Sequence, residues 1–310
     1  MNANTSDSRK RLLIWVALGL VYVVWGSTYL GIAVAIETLP PMLHGAMRFV
    51  AASLILGAVV LATKGRQAFR MTRREFVGAA VVGLLLLTAG NGMVAVAEQH
   101  ISSGLAALLV ASVPLWLVVF RLLVRDRPGL VTLAGVLIGF AGVAALSMTG
   151  SGEGSTFGIV IILLASLSWS IGSFLSGRIA MPANPFAASA VEMFVGGLGL
   201  LVLGSGLGER LDLAAVSGRS WIGLAYLIVV GSLVGFTSYV WLLGNAPISL
   251  VSTYAYVNPV VAVVLGALVL SEPVTPKVLL GGLVIVVGVA LVISTERRPK
   301  PAPDPEKVSA

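Results

Sequence analysis

Two residues of this chain are charged where charge is costly: Arg48 and Glu192 each lie inside a long apolar run. A charge within hydrocarbon needs a partner, a water-filled cavity or a substrate. By helix rise, Arg48 lies about 9 Å into its run and Glu192 about 12 Å into its own from the opposite face. In a hydrocarbon core of about 30 Å their backbones are then about 9 Å apart in depth, a gap that long side chains partly bridge. They either line a cavity, as substrate contacts or a gating pair, or they snorkel or form a fixed buried ion pair. Glu192 is also a candidate carrier of a coupling proton, because desolvation favours the neutral form of a carboxyl group.

Pro114 and Pro259 also interrupt apolar runs. Each lacks the N–H that would bond four residues back, which frees the carbonyls of Val110 and Ala255. Such places offer hinges or substrate-facing carbonyls near mid-membrane. The alternative is a static kink satisfied by Ser112 or Asn258. Tyr254 and Asn258, four apart, share a helix face, and Ser252 and Tyr256 share another. Trp25, Ser27, Thr28, Asn91, Trp169, Ser170, Tyr239 and Trp241 add hydroxyls, an amide and aromatic faces. That lining suits small amphipathic or aromatic ligands, cations included, although tryptophans also serve as interfacial anchors. Glu98 and His100 fall between two apolar runs and read as a solvated loop; the other reading is an outer proton site.

Other chemistry is poorly supported. With two histidines and no cysteine, no metal-ligand set and no convergent nucleophile and base can be assembled, so an enzyme is not expected. No G-x-x-x-x-G-K-[ST] stretch occurs, which argues against ATP-driven pumping, and no cofactor is expected. The net charge of +7 does not indicate nucleic acid, because the basic residues sit in short segments beside apolar runs.

The elements that must hold these residues are membrane spans. The chain is 57% hydrophobic and 11% charged, with mean hydropathy +1.01, whereas soluble domains carry about 25% charged residues. Ten segments are long and apolar enough to cross about 30 Å: 12–35, 42–63, 76–97, 104–124, 129–149, 157–177, 184–204, 221–243, 250–270 and 278–294. The run from Leu12 exceeds a signal-peptide core of about 7–15 residues, so it reads as the first span. Short connections make consecutive helices antiparallel neighbours. Of the 20 Lys and Arg residues, Arg210, Arg219 and Lys277 fall on one side, Arg48 lies within a span, and the other sixteen fall on the opposite side. That bias predicts a multi-pass protein of the inner (plasma) membrane with both termini cytoplasmic.

At an offset of 144–146 residues the two halves share landmarks: Trp25 with Trp169, Pro41 with Pro185, Arg48 with Glu192, Arg74/Phe76 with Arg219/Trp221, Pro114 with Pro259, Asp126/Pro128 with Glu272/Pro273, and Gly142 with Gly288. Five helices per half is odd, so the second copy is inserted upside down, the inverted repeat found in secondary transporters. The expected organisation is a cytoplasmic segment 1–11, a first five-helix repeat 12–149, a linker 150–156, a second repeat 157–294, and a disordered cytoplasmic tail 295–310. Gly135 and Gly139, spaced as small-xxx-small, are read as packing positions.

Trp25-Gly26-Ser27-Thr28-Tyr29, Gly45 to Arg48-Phe49, Gly90-Asn91-Gly92-Met93, and Ser252-Thr253-Tyr254-Ala255-Tyr256-Val257-Asn258-Pro259-Val260-Val261-Ala262 together resemble the EamA family of the drug/metabolite transporter superfamily. The likeness runs from about Leu12 to Ser294. It implies an all-α polytopic fold of ten transmembrane helices, a central cavity, and export of small metabolites or amino acids. The repeat by itself points to a secondary transporter working by alternating access, with the lipid bilayer as its surroundings and a coupling proton as a candidate partner; the resemblance extends the implied substrates to drug-like amphipathic compounds. The alternative function is a lipid flippase or scramblase, favoured if the cavity opens sideways to the bilayer.

Overall fold

A computed structural model describes residues 3–125, 128–147, 156–246, 248–251 and 253–296. The tail after Glu296, residues 150–155 of the linker, Asp126 and Ser252 lie outside the described residues.

Among the described residues nine helices are long and apolar enough to span a membrane, and a tenth apolar helix is shorter. They are labelled α1 (Ala3–Ala35), α2 (Pro41–Lys64), α3 (Arg73–Ala97), α4 (Ser103–Leu123), α5 (Leu130–Ser147), α6 (Thr156–Ser176), α7 (Pro185–Gly206), α8 (Gly218–Leu242), α9 (Tyr254–Val269, preceded by the single turn Ile248–Val251) and α10 (Pro276–Glu296). α1 begins well before Leu12, so the segment expected to precede the first span is largely part of its helix.

Helix starts match across the repeat. α2 opens on Pro41 and α7 on Pro185, where a missing N–H costs nothing. Asn184 also accepts from the N–H groups of Phe186 and Ala187 at 3.0 and 3.1 Å. α3 is capped by Thr72 in a capping box with Glu75, and α8 by Ser217, which accepts from Ser220 N at 3.1 Å.

Packing repeats the same symmetry. α1 lies against α8 and α9, and α6 against α3 and α4; α2 lies against α8, and α7 against α3. Three contacts join equivalent helices: α2 with α7, α4 with α9, and α5 with α10. The α5–α10 crossing is so close that a Cβ on Gly288 would stand 2.4 Å from the Gly139 nitrogen, and one on Gly135 would stand 2.8 Å from the Gly288 carbonyl. Side chains there would force the helices apart, which is the packing role expected of Gly135 and Gly139. Large apolar side chains such as Leu137, Val202, Ile222 and Leu268 point outward, as they must where lipid is the solvent.

Candidate transport site

Two equivalent spans are not regular α-helices. α3 contains a π-helical stretch at Leu84–Asn91, and α8 contains one at Leu227–Val234. These positions correspond across the repeat. A π-turn carries one extra residue per turn, which re-aims side chains and loosens backbone carbonyls, and such turns recur at functional sites. Hydropathy could not reveal them, because Leu, Val, Thr and Gly fit an α-turn equally well.

The stretch in α8 receives Arg48. The buried guanidinium donates from Nε to Ser232 Oγ at 3.0 Å and lies 4.7 Å from the centre of the Phe49 ring. Gly231 leaves room for it: a Cβ there would be 3.4 Å from Nη2. A pairing with Glu192, one of the readings left open by the sequence, does not form in this arrangement. Glu192 sits on the α7 face turned to α3, with Gly83 packed directly on its backbone, and makes no ion pair with Arg48. Helix rotation sends the two side chains to different neighbours.

Trp25, Tyr239 and Tyr254 form one aromatic cluster. Trp25 lies 4.9 Å from Tyr239 and 5.1 Å from Tyr254, and the two tyrosines are 5.7 Å apart, edge to face. Thus three residues singled out by type in the sequence are brought together from α1, α8 and α9. The remaining candidates divide. Ser27 donates to Val24 O at 2.8 Å and pairs with the Tyr226 hydroxyl, and Thr28 donates to Trp25 O at 2.6 Å beside Gly231. Asn258, with its amide nitrogen facing two carbonyls, reaches Tyr22 O and Tyr254 O at 3.2 Å each, so it ties α9 to α1. Tyr22 also bonds Thr253 through their hydroxyls.

On the related side, Trp169 lies over Gly90, and Asn91 donates weakly to Leu86 O at 3.5 Å. Ser170 is fully buried and donates to Ser166 O at 2.6 Å and Val113 O at 3.3 Å. It joins two backbones and does not face an open surface. Pro114 follows a true break: α4 is interrupted at Ala111 and Ser112. Hydroxyls of α6 reach the backbone on either side of the break, Ser166 to Leu109 O at 3.5 Å and Ser170 to Val113 O at 3.3 Å. Ser112 itself has a buried hydroxyl with no partner. Pro259 lies inside the helical part of α9, and the irregular turn comes before it, at Thr253.

Glu98 departs most from expectation. It is buried, not solvated, and both carboxylate oxygens are sealed without a hydrogen-bond partner. It lies just beyond the last residue of α3. Burial, and then the Glu272 carboxylate, push its carboxyl well above the usual carboxylate range, while the Arg48 guanidinium acts the other way. No pattern in the sequence marks it, since burial of a link depends on what covers it. Glu272 and Glu209, also unsuspected, fasten the halves together. Glu272 accepts from Ser103 N and Gly104 N at the start of α4, at 2.8 and 3.1 Å. Glu209 accepts from Met42 N and Leu43 N at the start of α2, at 3.0 and 2.9 Å. Both use the positive end of a helix dipole. Arg219 pairs with Glu37 at 3.3 Å at the same end of the bundle.

A family model described as the EamA-like transporter family matches the chain twice, over residues 13–148 and 156–294. An Escherichia coli K12 protein named as the uncharacterized inner membrane transporter YedA is 39% identical over 260 residues, covering 83% of each chain. The uncharacterized transporter YvbV of Bacillus subtilis is 25% identical over 291 residues, covering 92% of this chain and 93% of that one. A solved crystal structure superposes with a TM-score of 0.64 at 19% identity, over 93% of this chain and 99% of the other, which shows a shared fold.

Proposed function

Because the chain belongs to the EamA-like transporter family, we propose that it is a secondary transporter of small amphipathic or aromatic solutes, amino acids and related metabolites among them, working by alternating access in the inner membrane. The repeats 12–149 and 157–294 are the units that rock against each other. The observation that carries this reading is the pair of π-helical stretches at matching places in α3 and α8, each set against helices of the opposite half. Two equivalent irregular segments can exchange conformations, which is what an inverted repeat requires in order to face each side in turn. Arg48 and the Trp25–Tyr239–Tyr254 cluster stand beside the α8 stretch and offer a cation and three ring faces to a solute.

Flux in proteoliposomes tests the proposal, with labelled amino acids and aromatic amines screened with and without a proton gradient. Saturable flux that Arg48→Ala removes supports it; non-saturable, channel-like flux overturns it. Export and cytoplasmic termini rest on the family resemblance and the Lys/Arg bias. The native chain has no cysteine, so single cysteines placed at Lys64 and Ser205 can be labelled with an impermeant maleimide in intact cells. The proposed orientation is overturned if the Lys64 position is the reactive one.

One observation favours the lipid reading as a second. A groove of about 810 Å³ runs between α3 and α6, lined by Arg73, Arg74, Val77, Val81, Leu175 and Ile179, with Val77 exposed on the outer surface. Loss of asymmetry of a fluorescent phospholipid in vesicles holding this protein, with no solute flux, would put that reading first.

A further inference from the structure

Resting on the transporter reading above, we propose that Glu98 binds the coupling proton and that Arg48 governs when it is held. Glu98 is a carboxyl group enclosed by protein with both oxygens hydrogen-bonded to nothing. An ionised carboxylate in that position would lack both water and counter-ion, so the enclosed form is the neutral acid.

The charged and titratable groups that act on it come from several elements: Tyr29 on α1, Arg48 on α2 and Glu272 after α9. His44, on α2, in turn senses Arg48. His100, two residues beyond Glu98, stacks edge to face on Phe157 of α6. Neither charged neighbour is available to Glu98 in this arrangement. Glu272 is committed to the backbone N–H groups of Ser103 and Gly104, and the described hydrogen bond of Arg48 goes to Ser232.

The Arg48–Ser232 bond joins α2 of the first half to the π-helical stretch of α8 in the second. Movement of one half against the other must strain or break it. A guanidinium released from Ser232 is the cation near enough to act on Glu98, and it can replace the proton as counter-charge. The O–H bond of the carboxyl then breaks, the proton passes to water on the open side, and the ion pair takes its place. When Arg48 returns to Ser232, the carboxylate is left unpaired and takes up a proton again. One carboxyl, one guanidinium and one hydroxyl on the opposite half thereby tie proton occupancy to the conformational step.

The test has two arms on the full-length chain. In the first, infrared difference spectra of the protein in lipid nanodiscs are recorded through a pH titration. The wild type should show a protonated-carboxyl band that persists well above the ordinary carboxylate range, Glu98→Gln should lose it, and Glu98→Asp should keep it at a shifted pH. A band unchanged in Glu98→Gln overturns the proposal, as does a Glu98→Asp spectrum without the band should the glutamine variant fail to fold. In the second arm, proteoliposomes are given a radiolabelled aromatic amino acid and a radiolabelled aromatic amine. Glu98→Gln should abolish acceleration by an imposed proton gradient while retaining solute counterflow; acceleration retained in that variant overturns the proposal. If the wild type moves neither solute, the substrate reading fails, and the infrared band still decides the proton site.

Discussion

Trp25 and Trp169 occupy matching places. Each lies over a glycine at the end of a π-helical stretch in the opposite half, Gly235 for Trp25 and Gly90 for Trp169. Around Trp25 the neighbours are Tyr239 and Tyr254, with Arg48 bonded to Ser232 close by. On the other side Leu87 stands where Ser232 does in the repeat, packed against Gly196, and the break in α4 is bonded by Ser166 and Ser170. One side therefore has rings and a cation beside its irregular segment, while the other has serine hydroxyls that satisfy backbone carbonyls. The lesson is that inverted symmetry governs backbone shape and helix neighbours, and leaves each half free to carry different chemistry. On the transporter reading proposed above, recognition of a solute is assigned to the α1–α2–α8–α9 side, and the α3–α4–α6–α7 side is its matched counterpart in backbone shape.

The largest effect expected from breaking this contrast is that of Arg48→Ala. It removes the cation from the recognition side and should cut flux at least about tenfold, the equivalent of about 1.4 kcal/mol, in initial-rate measurements on proteoliposomes. Flux within twofold of wild type would show that Arg48 is only structural. Next is Gly235→Ala, whose methyl group would stand 2.7 Å from Trp25 Nε1. It should displace the ring and lower flux several-fold, whereas Gly90→Ala, against Trp169 at 3.0 Å, should change flux per folded molecule little. Equal losses in the two variants would erase the asymmetry. Ser170→Ala comes third. It removes the buried hydroxyl that joins Ser166 O to Val113 O and should cost about 1–2 kcal/mol of stability, read as a lower unfolding temperature in detergent, with the flux of folded protein kept.

The smallest effect concerns pH. Glu98 holds its proton more tightly in the folded chain than a free carboxyl group does. Between the unfolded value of about 4.3 and its own higher one, the native state therefore binds more protons than the unfolded state, so this group makes stability fall as pH rises through that window and stay flat below it. Glu98→Gln should flatten that part of the unfolding-temperature profile, and an unchanged slope would mean that Glu98 ionises freely.

The backbone plan was readable before any coordinates. Ten apolar runs become helices because lipid offers backbone groups no other partner than their own chain. Matching prolines at 41 and 185, and matching tryptophans at 25 and 169, marked the repeat because they serve the same caps and contacts in both copies. The site was legible only in part. Residue type picked out Trp25, Tyr239, Tyr254 and Arg48, but spacing could not say that the first three share one cluster, nor that Arg48 turns to Ser232 and not to Glu192.

By itself, then, the sequence determined a membrane protein of two inverted five-helix halves, because hydropathy, length and repeat spacing act along the chain and need no knowledge of neighbours. The tertiary structure alone decided where the π-helical stretches fall, which serines reach the backbone at the α4 break, and that the Glu98 carboxylate is enclosed with no hydrogen-bond partner. Those outcomes depend on how helices of opposite halves are rotated against one another, and that rotation is set by packing between residues far apart in the chain.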